Sequence, residues 1–213
     1  MPGIIKKYSA LILALGIGLV LATVGMVALN KSFISPDTAS AAEDTATVEV
    51  TATVQPYLQF SVSPTSVTLS PDLVDTAGNT HIGSSTNISL ILGTSASGGW
   101  SITIKGANGG LATSTYDLIE TVSGSSTLSA GTDGYGANAT GSIAGVTIGD
   151  EYKYWGTVDV GEIPSSTSNT LASKSTSNAS TTVALMKIYA ACDAGQEVGT
   201  YADTVTLTAT TSP

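Results

Sequence analysis

From Thr204 to Thr210 every second residue is threonine, and Val205, Leu207 and Ala209 fill the places between them. Successive side chains of an extended chain point to opposite faces, so this run carries one apolar face and one hydroxyl face. A helix would scatter the same residues around its circumference. The pattern therefore requires a strand with one side buried and the other wet. Residues 46–54 have the same texture. Ala46, Val48, Val50, Ala52 and Val54 share one face, Thr47, Glu49, Thr51 and Thr53 the other, and Pro56 closes the run.

Similar runs recur between turn-forming clusters. "LQFSV" (58–62), "SVTLS" (66–70), "TNISLILGTS" (86–95), "WSITIKG" (100–106), "YDLIETV" (116–122), "YKYWGTVDVG" (152–161) and "TTVALMKIYAA" (181–191) all read as strands. Pro64 and Pro71 bound the second of these, and "ANGG" follows "WSITIKG" as a turn. The glycine- and serine-rich stretch 123–145 gives no periodicity, and "PSSTSNTLASKSTSNAS" (164–180) reads as exposed polar chain. About nine short strands with frequent turns predict an all-β fold, an antiparallel immunoglobulin-like β-sandwich. One domain is expected over 43–213, with an irregular middle at about 107–180.

The first 42 residues are of another kind. Lys6 and Lys7 precede Ser9–Leu29, which carries no charge. This is the pattern of an export signal, and Ala39-Ser40-Ala41 offers a small-residue cleavage site before Ala42. A stretch of about 20 apolar residues is also long enough to span a bilayer. The expected helix is thus either a signal peptide cut near Ala41–Ala42 or a retained membrane anchor. Both fates place the remainder outside the cell, and any membrane contact would run through this segment.

Charge excludes several functions. The chain has 7 lysines, no arginine and 16 acidic residues, a formal net charge of −9. Nucleic-acid binding needs clustered cations that displace phosphate counterions, so it is not expected. Serine and threonine together number 60, yet 42% of residues are hydrophobic, more than a disordered segment carries. The single cysteine, Cys192, allows no disulfide within the chain.

The closing "GTYADTVTLTAT" resembles the last strand of exported bacterial β-sandwich proteins, the spore coat protein U-like and archaic chaperone–usher pilin group and the WxL-like surface proteins. The opening "TVEVTATVQPYLQFSVSPTSVTLS" is similar to their first strands. The likeness covers about 40 residues at the two ends. It departs elsewhere: such pilins carry paired cysteines, and the tryptophans here lie in Trp100-Ser-Ile and Trp155-Gly-Thr rather than Trp-x-Leu. The resemblance implies an exported surface or filament protein.

Catalytic chemistry finds little material. His81, the one histidine, lies in "AGNTHIGSS" without a nucleophile motif, and reads as a solvated loop residue. One His and one Cys cannot hold zinc. Of metals, calcium suits the chain best, with oxygen ligands from "PDLVDTAGN" and "GDEYKYWG", although neither follows the regular acidic loop. No cofactor is expected, calcium being the one metal for which ligands of the right kind exist. Tyr152, Tyr154 and Trp155 are candidates for an aromatic platform facing a sugar ring, with one face of "YKYW" assigned to the core. Asn87, Asn138 and Asn178 stand in Asn-x-Ser/Thr sequons. Lys187 within "VALMKIYA" needs either a partner or a snorkelling position.

These readings predict a non-enzymatic extracellular or cell-surface structural protein. Residues 46–54 have two expected roles. They either pair within their own domain, the preferred expectation, or add Ala46, Val48, Val50, Ala52 and Val54 to the sheet of a neighbouring copy in a pilus-like filament. The partners are then other copies of the chain or cell-surface components. A carbohydrate-binding adhesin is the alternative.

Overall fold

A computed structural model describes residues 46, 48–115 and 117–212. The apolar stretch Ser9–Leu29, its expected helix and the cleavage position at Ala41–Ala42 lie outside these residues. The described chain is all-β, and no helix forms among the described residues.

Thirteen strands arise in chain order: β1 (Leu58–Ser63), β2 (Ile82–Ser84), β3 (Ile88–Thr94), β4 (Trp100–Lys105), β5 (Gly110–Ala112), β6 (Leu118–Glu120), β7 (Ser125–Thr127), β8 (Gly134–Gly141), β9 (Thr147–Ile148), β10 (Asp159–Gly161), β11 (Asn169–Lys174), β12 (Asn178–Ala191) and β13 (Thr206–Thr211). A seven-stranded antiparallel sheet runs β1-β3-β12-β8-β10-β7, with β2 continuing beside β12 where β3 ends. A four-stranded antiparallel sheet runs β13-β4-β11-β9, and β5 and β6 form a hairpin.

Alternation decides which side chains meet. Leu90 and Leu92 of β3, Ile102 and Ile104 of β4, Ala137 of β8 and Leu171 of β11 are fully buried in one cluster fed by both large sheets. Each of the large aliphatic side chains contributes about 2 kcal/mol by leaving water. The other face of β4 carries Ser101 and Thr103, paired with Thr210 and Thr208 of β13, so the threonine face of the C-terminal strand is the wet one. A smaller cluster, Leu128, Val160, Tyr189 and Ala191, covers the outer face of the seven-stranded sheet. The turn from β3 to β4 requires Gly99: its φ is 86°, and a Cβ there would lie 1.9 Å from the Lys174 carbonyl oxygen.

Several sequence expectations change. Residues 46 and 48–57 enter no strand, where a strand was expected over 46–54. Residues 66–70 contribute a single bridge, Ser70 to Ser84. The prolines at 64 and 71 supply no N–H to a ladder, and Val67 and Leu69 pack on the core from a non-strand segment. Of 152–161 only 159–161 is strand; the rest is a turn-rich loop held by Asn138, whose Nδ2 donates to the carbonyls of Tyr154, Thr157 and Asp159, each at 3.2 Å. The segment 164–180, expected to be exposed, holds β11 with Leu171 and Ala172 fully buried. The unreadable stretch 123–145 supplies β7 and β8. Gly136 explains the close approach of β10 to β8, since a Cβ there would meet the Gly161 carbonyl oxygen and Val160 Cγ2 at 2.6 Å.

Candidate functional site

The edges of the two large sheets are unequal. On one side they end in β7 and β9, three and two residues long. On the other they end in β1 and β13, six residues each, without a charged residue in either. Among the described residues β1 pairs only with β3 and β13 only with β4. Short strands blunt an edge, whereas a longer uncharged one leaves a row of backbone donors and acceptors available.

Beside these long edges the core opens into a groove of about 1180 Å³. One wall is residues 64–69 and 71–76, the other residues 196–203 with Val205 and Leu207. Ile88, Leu111, Ile119, Met186 and Ile188 form an apolar floor. The pleat explains the lining: Val62 of β1, Val205 and Leu207 turn inward, while Ser61, Thr206 and Thr208 face water.

Three carboxylates brace the walls. Asp75 Oδ1 accepts from the Ala77 and Asn79 amides at 2.8 and 2.9 Å, and Oδ2 from Asn79 Nδ2 at 2.9 Å. The Asn79 side chain, its amide and the neighbouring donors hold the Asp75 carboxyl far below the usual carboxylate range. The Tyr201 hydroxyl and Gln196 Nε2 both donate to Asp117, tying the second wall to the start of β6. That tyrosine bond, first among the causes, lowers Asp117. Asp203 Oδ1 accepts from the amides of Ala107, Asn108 and Thr204 at 3.0, 3.2 and 2.8 Å, and Oδ2 lies 3.4 Å from the Tyr135 hydroxyl. Burial, then the Asp203 charge, raises the Tyr135 hydroxyl well above its ordinary value. Cys192 lines the same groove but is itself buried, and burial pushes its thiol up.

The groove lies toward one end of the sheets. Leu58 of β1 is opposite Thr94 and Ser63 opposite Ser89, while Thr206 of β13 is opposite Lys105 and Thr211 opposite Trp100. The Ser95–Gly99 turn therefore marks the end shared by Leu58 and Thr211. Val62, Val205 and Leu207 place the groove toward the other end. The chain reaches β1 at the Leu58 end, held by Ser95: Tyr57 N donates to Ser95 Oγ at 3.0 Å, and Ser95 Oγ donates to the Gln55 carbonyl at 3.3 Å. Before this clasp Val54 is 80% exposed, and Val48 and Val50 are 86% exposed. Ala46 and Ala52 are exposed as well.

The other candidates are placed as follows. Tyr152 belongs to the core, not to a ligand face: it is fully buried and its hydroxyl donates to the Glu162 carbonyl at 2.6 Å. Tyr154 and Trp155 are half-buried, and Lys187 Nζ lies 5.7 Å from the Trp155 ring centroid, the partner that lysine needed. Asn138 is fully buried. Asn178 is engaged, accepting from Trp100 Nε1 at 2.5 Å and donating to the Leu92 carbonyl at 2.8 Å. Asn87 is exposed. His81 Nε2 lies 3.4 Å from Asp75 Oδ2 rather than free in a loop. In "GDEYKYWG", one of the two segments weighed for calcium, Asp150 pairs with Lys153 at 3.0 Å and Glu151 accepts from Asn169 at 3.2 Å. No group of three His, Cys, Asp or Glu side chains that could hold a metal forms among the described residues.

The sequence did not reveal the groove. One wall includes residues 66–70, whose alternation reads as a strand, and the other includes residues 196–203, which lack regular periodicity, so neither pointed to an opening in the core. No family model, no curated protein and no solved structure matches the chain.

Proposed function

We propose that this is a non-enzymatic, extracellular or cell-surface structural protein, an immunoglobulin-like sandwich whose copies associate by β-strand pairing. The observation that carries the reading is the run Ala46, Val48, Val50, Ala52 and Val54. It alternates as a strand should, yet among the described residues it joins no sheet and its valines are exposed. Exposed apolar residues at a strand period are costly for a lone molecule and useful to one that gains a sheet edge. The long uncharged edges at β1 and β13 are suitable receivers.

Light-scattering mass of the purified chain across a concentration series tests this reading. Multimers are expected, and they should persist as salt rises to about 1 M, because backbone pairing and apolar packing are not screened. A monomer at every concentration, or multimers that dissociate on moderate salt, would defeat it.

A further inference from the structure

We infer that Asn108 is a site of spontaneous chemical modification, where loss of ammonia converts the side-chain amide to a carboxylate and loosens the hold on β13. The conversion is independent of how copies of the chain associate. Asn108-Gly109 is the one Asn-Gly pair in the sequence. In such a pair the glycine amide nitrogen attacks the asparagine Cγ, the Cγ–Nδ2 bond breaks, and ammonia leaves with the amide proton. The five-membered imide that forms takes up water and opens to aspartate or to β-linked isoaspartate. A Cβ on the following residue crowds the attack, and glycine has none.

Local structure leaves this pair open to the reaction. Asn108 is exposed in the turn between β4 and β5, and only its backbone amide is hydrogen-bonded among the described residues. The Gly109 amide, the attacking group, donates to no acceptor there. Gly109 has a φ of 73°, a conformation that suits glycine and few other residues. Every other asparagine of the sequence precedes a residue with a side chain. Several are also held: Asn79 Nδ2 donates to Asp75 at 2.9 Å, Asn169 Nδ2 to Glu151 at 3.2 Å, and Asn178 Nδ2 to the Leu92 carbonyl at 2.8 Å. Asn138 is fully buried, and the exposed Asn87 precedes the β-branched, buried Ile88.

The new charge arises beside Asp203. Asp203 Oδ1 accepts from the Ala107 and Asn108 amides at 3.0 and 3.2 Å and from Thr204 at 2.8 Å, which ties the β4–β5 turn to the chain entering β13. A carboxylate on residue 108 repels the one its own amide holds, and isoaspartate adds a methylene to the backbone between the amides of 108 and 109. Both groups lie near solvent, so the repulsion weakens these bonds without unfolding the domain. β13 has little to replace them with, since among the described residues it pairs with β4 alone and its outer face is in water. An edge strand opens locally at a lower cost than global unfolding, and hydrogen exchange over 204–211 reads that opening.

The test incubates the purified full chain in mild detergent, in warm buffer that is mildly alkaline or mildly acidic. Alkali removes the Gly109 amide proton more readily and should speed the reaction. Cleavage after Lys105 gives a peptide that begins at Gly106. In the alkaline sample that peptide should gain about 1 Da and split into an aspartate and an isoaspartate form. The acidic sample should lag far behind, and an Asn108→Gln variant should keep its mass in both. Hydrogen exchange over 204–211 should become several-fold faster in the converted chain, and a fresh Asn108→Asp variant should reproduce the part due to charge. A peptide that keeps its mass, or another asparagine that converts first, overturns the site. Conversion at Asn108 with exchange over 204–211 still at the native rate overturns the link to β13.

Discussion

Asn138 is the buried residue whose replacement tests most directly how the middle of the chain is held. It lies within β8, fully buried, and its one amide group serves three carbonyls of the 152–159 loop at 3.2 Å each. Its Oδ1 is buried without a partner among the described residues. Asn138→Ala removes two N–H donors, worth about 1 kcal/mol each, and leaves the partly exposed loop carbonyls to find water or stay unpaired, at about 1–2 kcal/mol. The Tyr154 carbonyl keeps Thr157 N and Thr157 Oγ1 as donors, so the loss falls mainly on Thr157 O and Asp159 O. Removing the orphaned Oδ1 returns about 1 kcal/mol. The expected net cost is about 2–3 kcal/mol, a fall in Tm of roughly 6–10 °C for a domain of this size. Asn138→Asp is expected to be worse, because it turns a second acceptor toward the same carbonyls or buries a charge. Urea unfolding of the three proteins measures both costs, with equal m-values as the check that only the native state changed. An Asn138→Asp protein as stable as the parent, or an Ala variant within about 0.5 kcal/mol of it, would refute the account.

Two further outcomes follow from the site geometry. The Asp75 carboxyl is depressed by hydrogen bonds from Asn79 and its neighbours, so its contribution is present above the ordinary carboxylate value near 4 and is lost as pH falls below that. The Ala77 and Asn79 amide signals should therefore titrate together with a midpoint well below 4 in an NMR pH series, and a midpoint at the ordinary value would contradict the bracing role of Asp75. In a host that glycosylates exported chains, of Asn87, Asn138 and Asn178 the folded protein should carry sugar at Asn87 alone, because Asn138 is buried and the Asn178 amide bonds the Leu92 carbonyl. Glycopeptide mass spectrometry reads the occupancy, and a glycan on Asn138 of folded material would contradict the placement.

Much of the fold was legible where alternation was long and the residues large. "LQFSV", "TNISLILGTS", "WSITIKG" and the C-terminal threonine run all became strands, because period-two burial of Val, Ile and Leu has few other solutions. The misreadings have a common cause. "GYGANATG" (134–141) has too few β-branched residues to announce a strand, yet it forms β8, because its small side chains let β12 and β10 approach closely on either side. "NTLASK" (169–174) is mostly polar, but the bulge between Thr170 and Ala172 turns two consecutive residues, Leu171 and Ala172, inward. "YKYW" contains strand-forming residues, but its backbone is held as a loop by an asparagine on another strand. Of the candidate site, the alternating residues 46–54 were visible and the groove was not, since its walls are irregular chain.

The sequence by itself determined that this chain makes sheets and that the threonine face of its C-terminal strand is wet. Those properties are local: they follow from the direction of successive side chains and from what each covers. Which strands become edges, where the core is left open, and whether a strand-like segment finds a partner depend on pairings between residues far apart in sequence. Val62 and Leu207 meet beside one groove although 144 intervening residues separate them. Only the tertiary structure settles such matters, because a strand's hydrogen bonds are made with another strand and no strand encodes its partner in its own alternation.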